Sequence, residues 1–345
     1  MRQEKEITIY DIAQHLNISA ATVSRALKDN PAINKNTRKK INDAARELGY
    51  RSNTFASSLR SKKTHTLGVI VQKLNSHFIS SVLAGMEVAA NRNGYNLIIT
   101  QSLENTAKEI ANAEILYNKR VDGLLVSLAY NTSDIDHLAP FFRKNIPVVF
   151  FDRTFSHNDS TEVIIDNYRA AYEITKHMLD EGCKRILHIS GNSLRNVYAD
   201  RLRGFKHALH DAQMTFDEKL LYNCSLNEQS GIEAAEYILS LKKQERPDAV
   251  FAVNDTVAVH CMIRLKEAGI CIPQDIAFAG FNNDPISKVA EPKLTTVSYP
   301  GELVGETAVT SLISHLNGTS NIKTTNTIIL RSDIIIRPSS LKKNL

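Results

Sequence analysis

Cysteine is scarce and scattered in this chain of 345 residues. Cys183, Cys224, Cys261 and Cys271 form no CxxC pair, and no histidine cluster stands at metal-ligand spacing. Reduced thiols are the expectation, with no disulfide framework, metal site or cofactor. No stretch approaches the roughly eighteen apolar residues that a membrane helix requires, which excludes a membrane-spanning helix. The 14 glycines and 9 prolines are too few for a collagen-like or low-complexity protein. Phosphate-loop, GxGxxG and GxSxG patterns are missing; Gly191-Asn192-Ser193 follows a strand but is only a single-glycine turn. An enzyme is therefore not expected. Met1 to Glu6 is polar, and Ile7 to Ile9 is far too short for a signal sequence, so a cytoplasmic protein is expected.

Hydrophobic residues make up 43% and charged residues 23%, ordinary values for globular domains, and the length suggests two or three of them. The charge is unevenly spread. Residues 1–65 hold 13 Lys+Arg against 6 Asp+Glu, whereas the remainder is slightly acidic. A basic head on a near-neutral body is the asymmetry expected when one small domain contacts phosphates.

Three short helices can be read in that head. Thr8 and Asp11 resemble a capping box, followed by Ile12, Ala13 and Leu16 at helical spacing. After a break at Asn17-Ile18, Ser19 can cap a second helix with Val23, Ala26 and Leu27 inward, ended by Asn30-Pro31. Asn34 can cap a third, with Ile41, Ala44, Ala45 and Leu48 on one face and Gly49 as a stop. Two helices joined by a tight turn and buttressed by a third make a helix-turn-helix head, whose second helix presents its start to the major groove. Ala20, Ala21, Thr22, Ser24 and Arg25 occupy or flank that face, and Thr8, Tyr10 and Ser19 join them as candidate DNA contacts. Arg25 can make a bidentate pair with guanine, worth roughly 1–3 kcal/mol of discrimination. Lys35, Arg38, Lys39 and Lys40 suit phosphates better than bases.

Residues 53–59 read as a short helix too weak to stand alone. Ile9-Tyr10-Asp11-Ile12-Ala13, Ser19 through Arg25, Leu48-Gly49-Tyr50-Arg51 and Asn53-x-x-Ala56-x-x-Leu59 together resemble the head and hinge of LacI/GalR (lac-repressor) family regulators. The resemblance implies that Asn53, Ala56 and Leu59 belong to a hinge helix that pairs with its partner in the minor groove. Leu59 would be the wedge that kinks the duplex. Ser52 stands where many members have proline.

From Thr66 the pattern changes to apolar strands alternating with helices, in two series that imply parallel sheets covered on both faces. The expected fold is an N-terminal all-α helix-turn-helix head (1–50), a hinge and linker (51–65), and an α/β two-lobed, periplasmic-binding-protein-like effector domain (66–340). The family implies chain crossings near 164, 298 and 324. Lobe 1 would then hold about 66–164 and 299–323, and lobe 2 about 165–298 and 324–340.

Ligands of open α/β sheets bind where strand carboxyl ends converge. Candidates there are Phe78 in the first β-α loop, and Asp152 and Arg153 after the strand ending in Phe151. Family resemblance adds Arg201, in Arg-x-x-Gly-Phe, as a clamp for effector oxygens, and Asn254 as a hydrogen-bonding position. Asn282 replaces a common aspartate, which removes a negative charge. Arg195, Leu226 and Tyr299 are weaker candidates, and any of these residues could instead cap a helix. The resemblance implies a homodimer that binds a near-palindromic operator in double-stranded DNA. A small sugar or sugar derivative in the cleft would control its affinity, more often for repression than activation. With five residues after Ser340 there is no heptad tail for a tetramer. The competing reading is a soluble sugar-binding protein without a DNA role, against which the head speaks.

Overall fold

The computed structural model describes residues 7–50, 63–324 and 327–342. The chain divides into two units, residues 1–64 and 65–345.

In the first unit α1 (Ile9–Leu16), α2 (Ala20–Leu27) and α3 (Lys35–Glu47) each begin at a side-chain cap. At α1 the capping box is complete: the Thr8 backbone N–H donates to Asp11 Oδ2 at 2.8 Å, and the Asp11 backbone N–H donates to the Thr8 hydroxyl oxygen at 3.4 Å. Asn17 ends α1 in the left-handed region, φ 54°, a conformation asparagine tolerates. Ser19 and Asn34 cap α2 and α3. Ile12, Ala13, Val23, Ala26, Ile41, Ala44 and Ala45 close the core, with Leu16, Ala20, Leu27 and Leu48 packed round it.

The second unit runs β1 (Thr66–Val71), α4 (His77–Arg92), β2 (Asn96–Gln101), α5 (Thr106–Asn118), β3 (Gly123–Val126), α6 (Ala139–Arg143), β4 (Val148–Phe151) and β5 (Ser160–Ile165). It continues with α7 (Asn167–Asp180), β6 (Ile186–Ser190), α8 (Asn196–Asp211), β7 (Leu221–Asn223), α9 (Glu228–Ser240), β8 (Ala249–Ala252), α10 (Asp255–Glu267), β9 (Ala277–Ala279) and α11 (Pro285–Val289). Last come β10 (Thr296–Val297), α12 (Gly301–Leu316), β11 (Thr327–Leu330) and β12 (Ile334–Ile335).

Two parallel sheets result, ordered β11-β5-β4-β3-β1-β2 and β7-β6-β8-β9. Central strands β3, β4, β6 and β8 are buried throughout, as strands covered on both faces are; β3, β4 and β8 are apolar runs, whereas β6 carries His188 and Ser190. Edge strands β2 and β11 hold only exposed and half-buried residues, alternating along β11. Glycines let the covering helix α12 settle on α4. A Cβ at Gly85 would lie 2.0 Å from the Glu302 carbonyl oxygen, and one at Gly305 2.0 Å from that of Val82.

The third chain crossing falls later than expected. Placing 324–340 wholly in the second lobe is corrected by β11, which pairs in parallel with Glu162–Ile165 and so completes the first sheet. Only after it does the chain return, through β12, which pairs antiparallel with β10. Around Ile328-Ile329-Leu330 the sequence is rich in threonine and asparagine, as suits an edge strand and a connection alike.

Candidate functional site

On the head, α2 exposes Ala21 in its first turn and Arg25 in its last, with Thr22 and Ser24 half-buried between them. The Ser19 hydroxyl accepts from the Thr22 backbone N–H at 3.2 Å and lies 2.8 Å from the Thr22 hydroxyl, so the pair fixes the helix start. Arg25 folds its Nε back onto the Ala21 carbonyl at 3.3 Å, which leaves its terminal nitrogens to face outward. Tyr10 is 70% exposed on α1. Ala20 packs half-buried against the head core. Arg38 braces the α2–α3 loop, with Nη2 donating to the carbonyls of Asn30 (2.9 Å) and Ile33 (3.3 Å). Asn53, Ala56 and Leu59 lie outside the described residues.

In the second unit a cavity of about 150 Å³ opens between the carboxyl ends of the two sheets. Phe78, Asp152, Arg153, Arg201, Leu226, Asn254 and Asn282 all line it. Phe78 lies in the first turn of α4, its ring tilted by 35° against that of Tyr299 with centroids 4.2 Å apart. Asp152, Leu226 and Asn282 are held at φ 57°, 59° and 105°, in the positive-φ region that leucine in particular avoids. Such strain concentrates where a fold must aim particular groups at a ligand.

Arg201 projects from α8 and is 3% exposed. Its Nε donates to Asn167 Oδ1 (2.9 Å) and its Nη1 to the Val253 carbonyl (2.8 Å), while the guanidinium lies 3.6 Å from the Phe281 ring centroid. Nη2 is thus the edge left for the cavity. Burial pushes the Arg201 pKa down, opposed by Tyr299, Tyr198 and Asp152. Burial also raises Asp152, opposed by Arg153 and Arg201; its carboxylate accepts from the Ser127 hydroxyl at 3.3 Å. Arg153 stays firmly cationic: burial works against its charge, but Tyr198, Glu104 and Asp152 outweigh it. Its Nη1 reaches both Glu104 oxygens, at 3.0 and 2.8 Å, and its Nη2 donates to the Tyr198 hydroxyl at 2.8 Å. Asn254 caps α10 through Oδ1 and donates Nδ2 to the Leu226 carbonyl at 3.0 Å. One amide hydrogen remains to it.

Arg195 and Tyr299 do not line the cavity. Arg195 is 2% exposed and its Nη2 bonds the Thr132 carbonyl of the opposite lobe, so it joins lobes instead of meeting a ligand. Tyr299 is buried behind Phe78, where burial and then Asp152 hold its phenol neutral.

Arg195 belongs to a larger feature. The segment 192–198 of the second lobe grips the first lobe at four places. Besides Arg195, the Asn192 backbone N–H donates to the Tyr130 hydroxyl at 2.5 Å, and Tyr198 meets Arg153. Asn196 accepts from the Thr154 backbone N–H and donates to the Asp152 carbonyl, both at 3.0 Å. Tyr130 adds a bond to the Cys224 carbonyl at 3.0 Å. A clasp of hydrogen bonds therefore runs along one rim of the cleft.

Comparison with known proteins places this geometry. Residues 8–53 match the bacterial regulatory proteins, lacI family, and residues 175–340 match a periplasmic binding protein-like domain. Catabolite control protein A of Priestia megaterium is 32% identical over 90% of this chain and 93% of its own length. The chain belongs to the LacI family. The HTH-type transcriptional repressor PurR of Vibrio atlanticus is also 32% identical, over 90% of this chain and 92% of its own. A Lac repressor dimer solved with operator and the anti-inducer ONPF shares the fold, with TM-score 0.86 over 98% of this chain and 100% of that one, at 23% identity. This LacI-family chain is a DNA-binding regulator of transcription, and its relatives are regulators, not enzymes.

Several cavity residues of this LacI-family member escape sequence reasoning: Gln72, Lys73, Glu104, Tyr130, Tyr198 and Ser225. A signal existed for most of them. Gln72, Tyr130 and Ser225 follow β1, β3 and β7 within a few residues, where ligands of parallel sheets gather. Tyr198 stands three residues before Arg201 on the same helix, hence on the same face.

Proposed function

We propose that this protein is a repressor that binds a near-palindromic DNA operator as a homodimer in the cytoplasm. A small, sugar-like effector held in the interlobe cavity controls its operator affinity. The observation that carries the reading is one cavity walled by charged and amide side chains of both lobes, Asp152 and Arg153 from one and Arg201, Asn254 and Asn282 from the other. A ligand touching both walls has a different affinity for open and closed arrangements, and only such a difference can shift a conformational equilibrium. Alternating donors and acceptors round Phe78 suit a polyhydroxylated ring: Asp152 accepts, Arg201 and Asn254 donate, and the aromatic face covers apolar C–H edges. Arg25, with Ala21, Thr22 and Ser24, meets base edges in the major groove, and Thr8, Tyr10 and Ser19 adjoin the phosphates. Asn53, Ala56 and Leu59 serve as the minor-groove hinge. A coupling of about 1–3 kcal/mol, roughly 5–150-fold in operator affinity, is the size of effect such a device produces.

The test begins with selection of operators from random duplex DNA by the full-length protein at increasing salt. A short palindrome with a central pyrimidine–purine step supports the reading, and it supplies the probe for screening sugars. Weak, sequence-blind binding that salt abolishes, unrestored by any ligand tried, refutes it.

A further inference from the structure

The cavity contains what resembles an anion clamp, Arg153 and Arg201 on opposite walls with Lys73 nearby. Two guanidinium groups facing one cavity would ordinarily favour a phosphate or carboxylate on the ligand. One of them, however, already has its anion. Glu104 accepts from Arg153 through both carboxylate oxygens, and its Oε2 also takes the Tyr130 backbone N–H at 2.9 Å. Both side chains are well covered, 13% exposed for Arg153 and 24% for Glu104, so water screens the pair only partly. Asp152 stands beside Arg201 as a second internal counter-charge. Lys73 is left, and it is half-exposed to solvent, where its field is weakest.

The backbone that delivers Glu104 is unusual. Leu103 and Glu104 lie consecutively in the left-handed region, φ 52° and 60°, with no glycine or asparagine to ease it. Side chains avoid that region, so the turn is held by its surroundings. Hydrogen bonds from the Ser102 and Leu103 N–H groups to the Val71 and Gln72 carbonyls, both 2.8 Å, hold the loop in place. Without that turn the carboxylate would not stand over Arg153.

We infer that Glu104 determines the charge selectivity of the cavity: by engaging Arg153 in a two-oxygen clamp, it makes the site take uncharged ligands and reject anionic ones. The inference rests on the cavity being the effector site and adds to it a residue that decides the ligand's class. An anionic ligand would have to displace Glu104 from Arg153 or sit against its carboxylate. A neutral polyol can bond the outer edges of both ion pairs without separating either.

The test uses the full-length protein and inorganic phosphate, titrated calorimetrically at constant ionic strength. Glu104→Gln is nearly isosteric, and its amide oxygen still accepts the Tyr130 N–H. This variant is expected to bind phosphate at least tenfold more tightly than the parent, and the gain is expected to vanish in Glu104→Gln/Arg153→Gln. Phosphate taken up by the basic head is common to all the proteins, so dependence on Arg153 isolates the cavity. Glu104→Asp, which keeps the charge, should show no gain, and a thermal melt establishes that each variant is folded. Equal phosphate affinity in the parent and a folded Glu104→Gln protein overturns the inference. So does a gain that survives loss of Arg153. If the gain appears as expected but no sugar alters operator binding, charge selection by Glu104 stands and the regulatory reading of the cavity fails.

Discussion

Asn196 is the tightest knot of the interlobe clasp, because one side chain satisfies two backbone groups of the opposite lobe, the Thr154 N–H and the Asp152 carbonyl. Asn196→Ala deletes both bonds. At about 1 kcal/mol net for each, the closed arrangement loses about 2 kcal/mol relative to an open one, in which water serves the same groups. That is roughly a 30-fold rise in the open population. Amide hydrogen exchange reads this directly without any effector, since exchange at a protected amide follows the free energy of the opening that exposes it. The reporter is the Asn192 N–H, bonded to the Tyr130 hydroxyl at the other end of the clasp and untouched by the substitution. Its exchange is expected to accelerate about 30-fold. The Leu128 N–H, which bonds the Arg153 carbonyl within one lobe, should not change. If Asn192 exchanges at the parent rate in Asn196→Ala, the bonds of segment 192–198 open independently, and the clasp is not a unit.

Three further outcomes are expected. Arg25→Ala should relax base preference at one position of a selected operator, by about 1–3 kcal/mol; an equal loss on all sequences would make Arg25 a phosphate contact. Arg201→Ala should destabilise the fold by about 3–5 kcal/mol in urea unfolding as well as abolish effector response, because it leaves Asn167 Oδ1 and the Val253 carbonyl without their charged donor; full stability in that variant would show the guanidinium is not a structural node. His188 is buried and bonded to the Phe251 carbonyl at 3.1 Å, with burial depressing its pKa from 6.5 to about 3. In that window the unfolded chain binds the proton and the folded one does not, so stability falls as pH drops below 6.5. Between pH 6.5 and 5 the loss is about 2 kcal/mol, and His188→Gln should remove most of it; identical pH slopes of stability in parent and variant would refute this.

The fold was legible because its signals are local. Capping residues at Thr8, Ser19 and Asn34, and apolar runs such as Leu124-Leu125-Val126 and Val148-Val149-Phe150-Phe151, each specify an element from a few neighbours. The polar segment before β11 did not, because an edge strand half open to water needs no long apolar run. Masking by tertiary pairing explains the rest. Nothing near Glu104 in sequence announces Arg153, 49 positions away, and nothing near Tyr130 announces Cys224.

Arg195 and Arg201 show where local reasoning reaches its end. Both are arginines at the mouth of the same sheet, and residue type alone ranks them as similar candidates. Helical geometry separates them. Arg195 is the N-cap of α8, with extended backbone (φ −89°, ψ 130°), so its side chain leaves the helix before the helical repeat begins. It reaches sideways to Thr132 in the other lobe. Arg201 lies nearly two turns further along, at about 100° per residue, and shares its face with Tyr198. Those two residues, three apart, both look into the cavity, and each carries a cross-wall partner: Asp152 influences the charge of Arg201, and Arg153 bonds Tyr198. The sequence therefore contained a sharper test than residue type, namely that a second polar group on the Arg201 face belongs at position 198 and not at 195. That geometry assigns Arg195 to closure and Tyr198 to the cavity wall. It also implies that Arg195→Gln should change the rate at which the Asn192 amide exchanges while leaving the cavity wall intact.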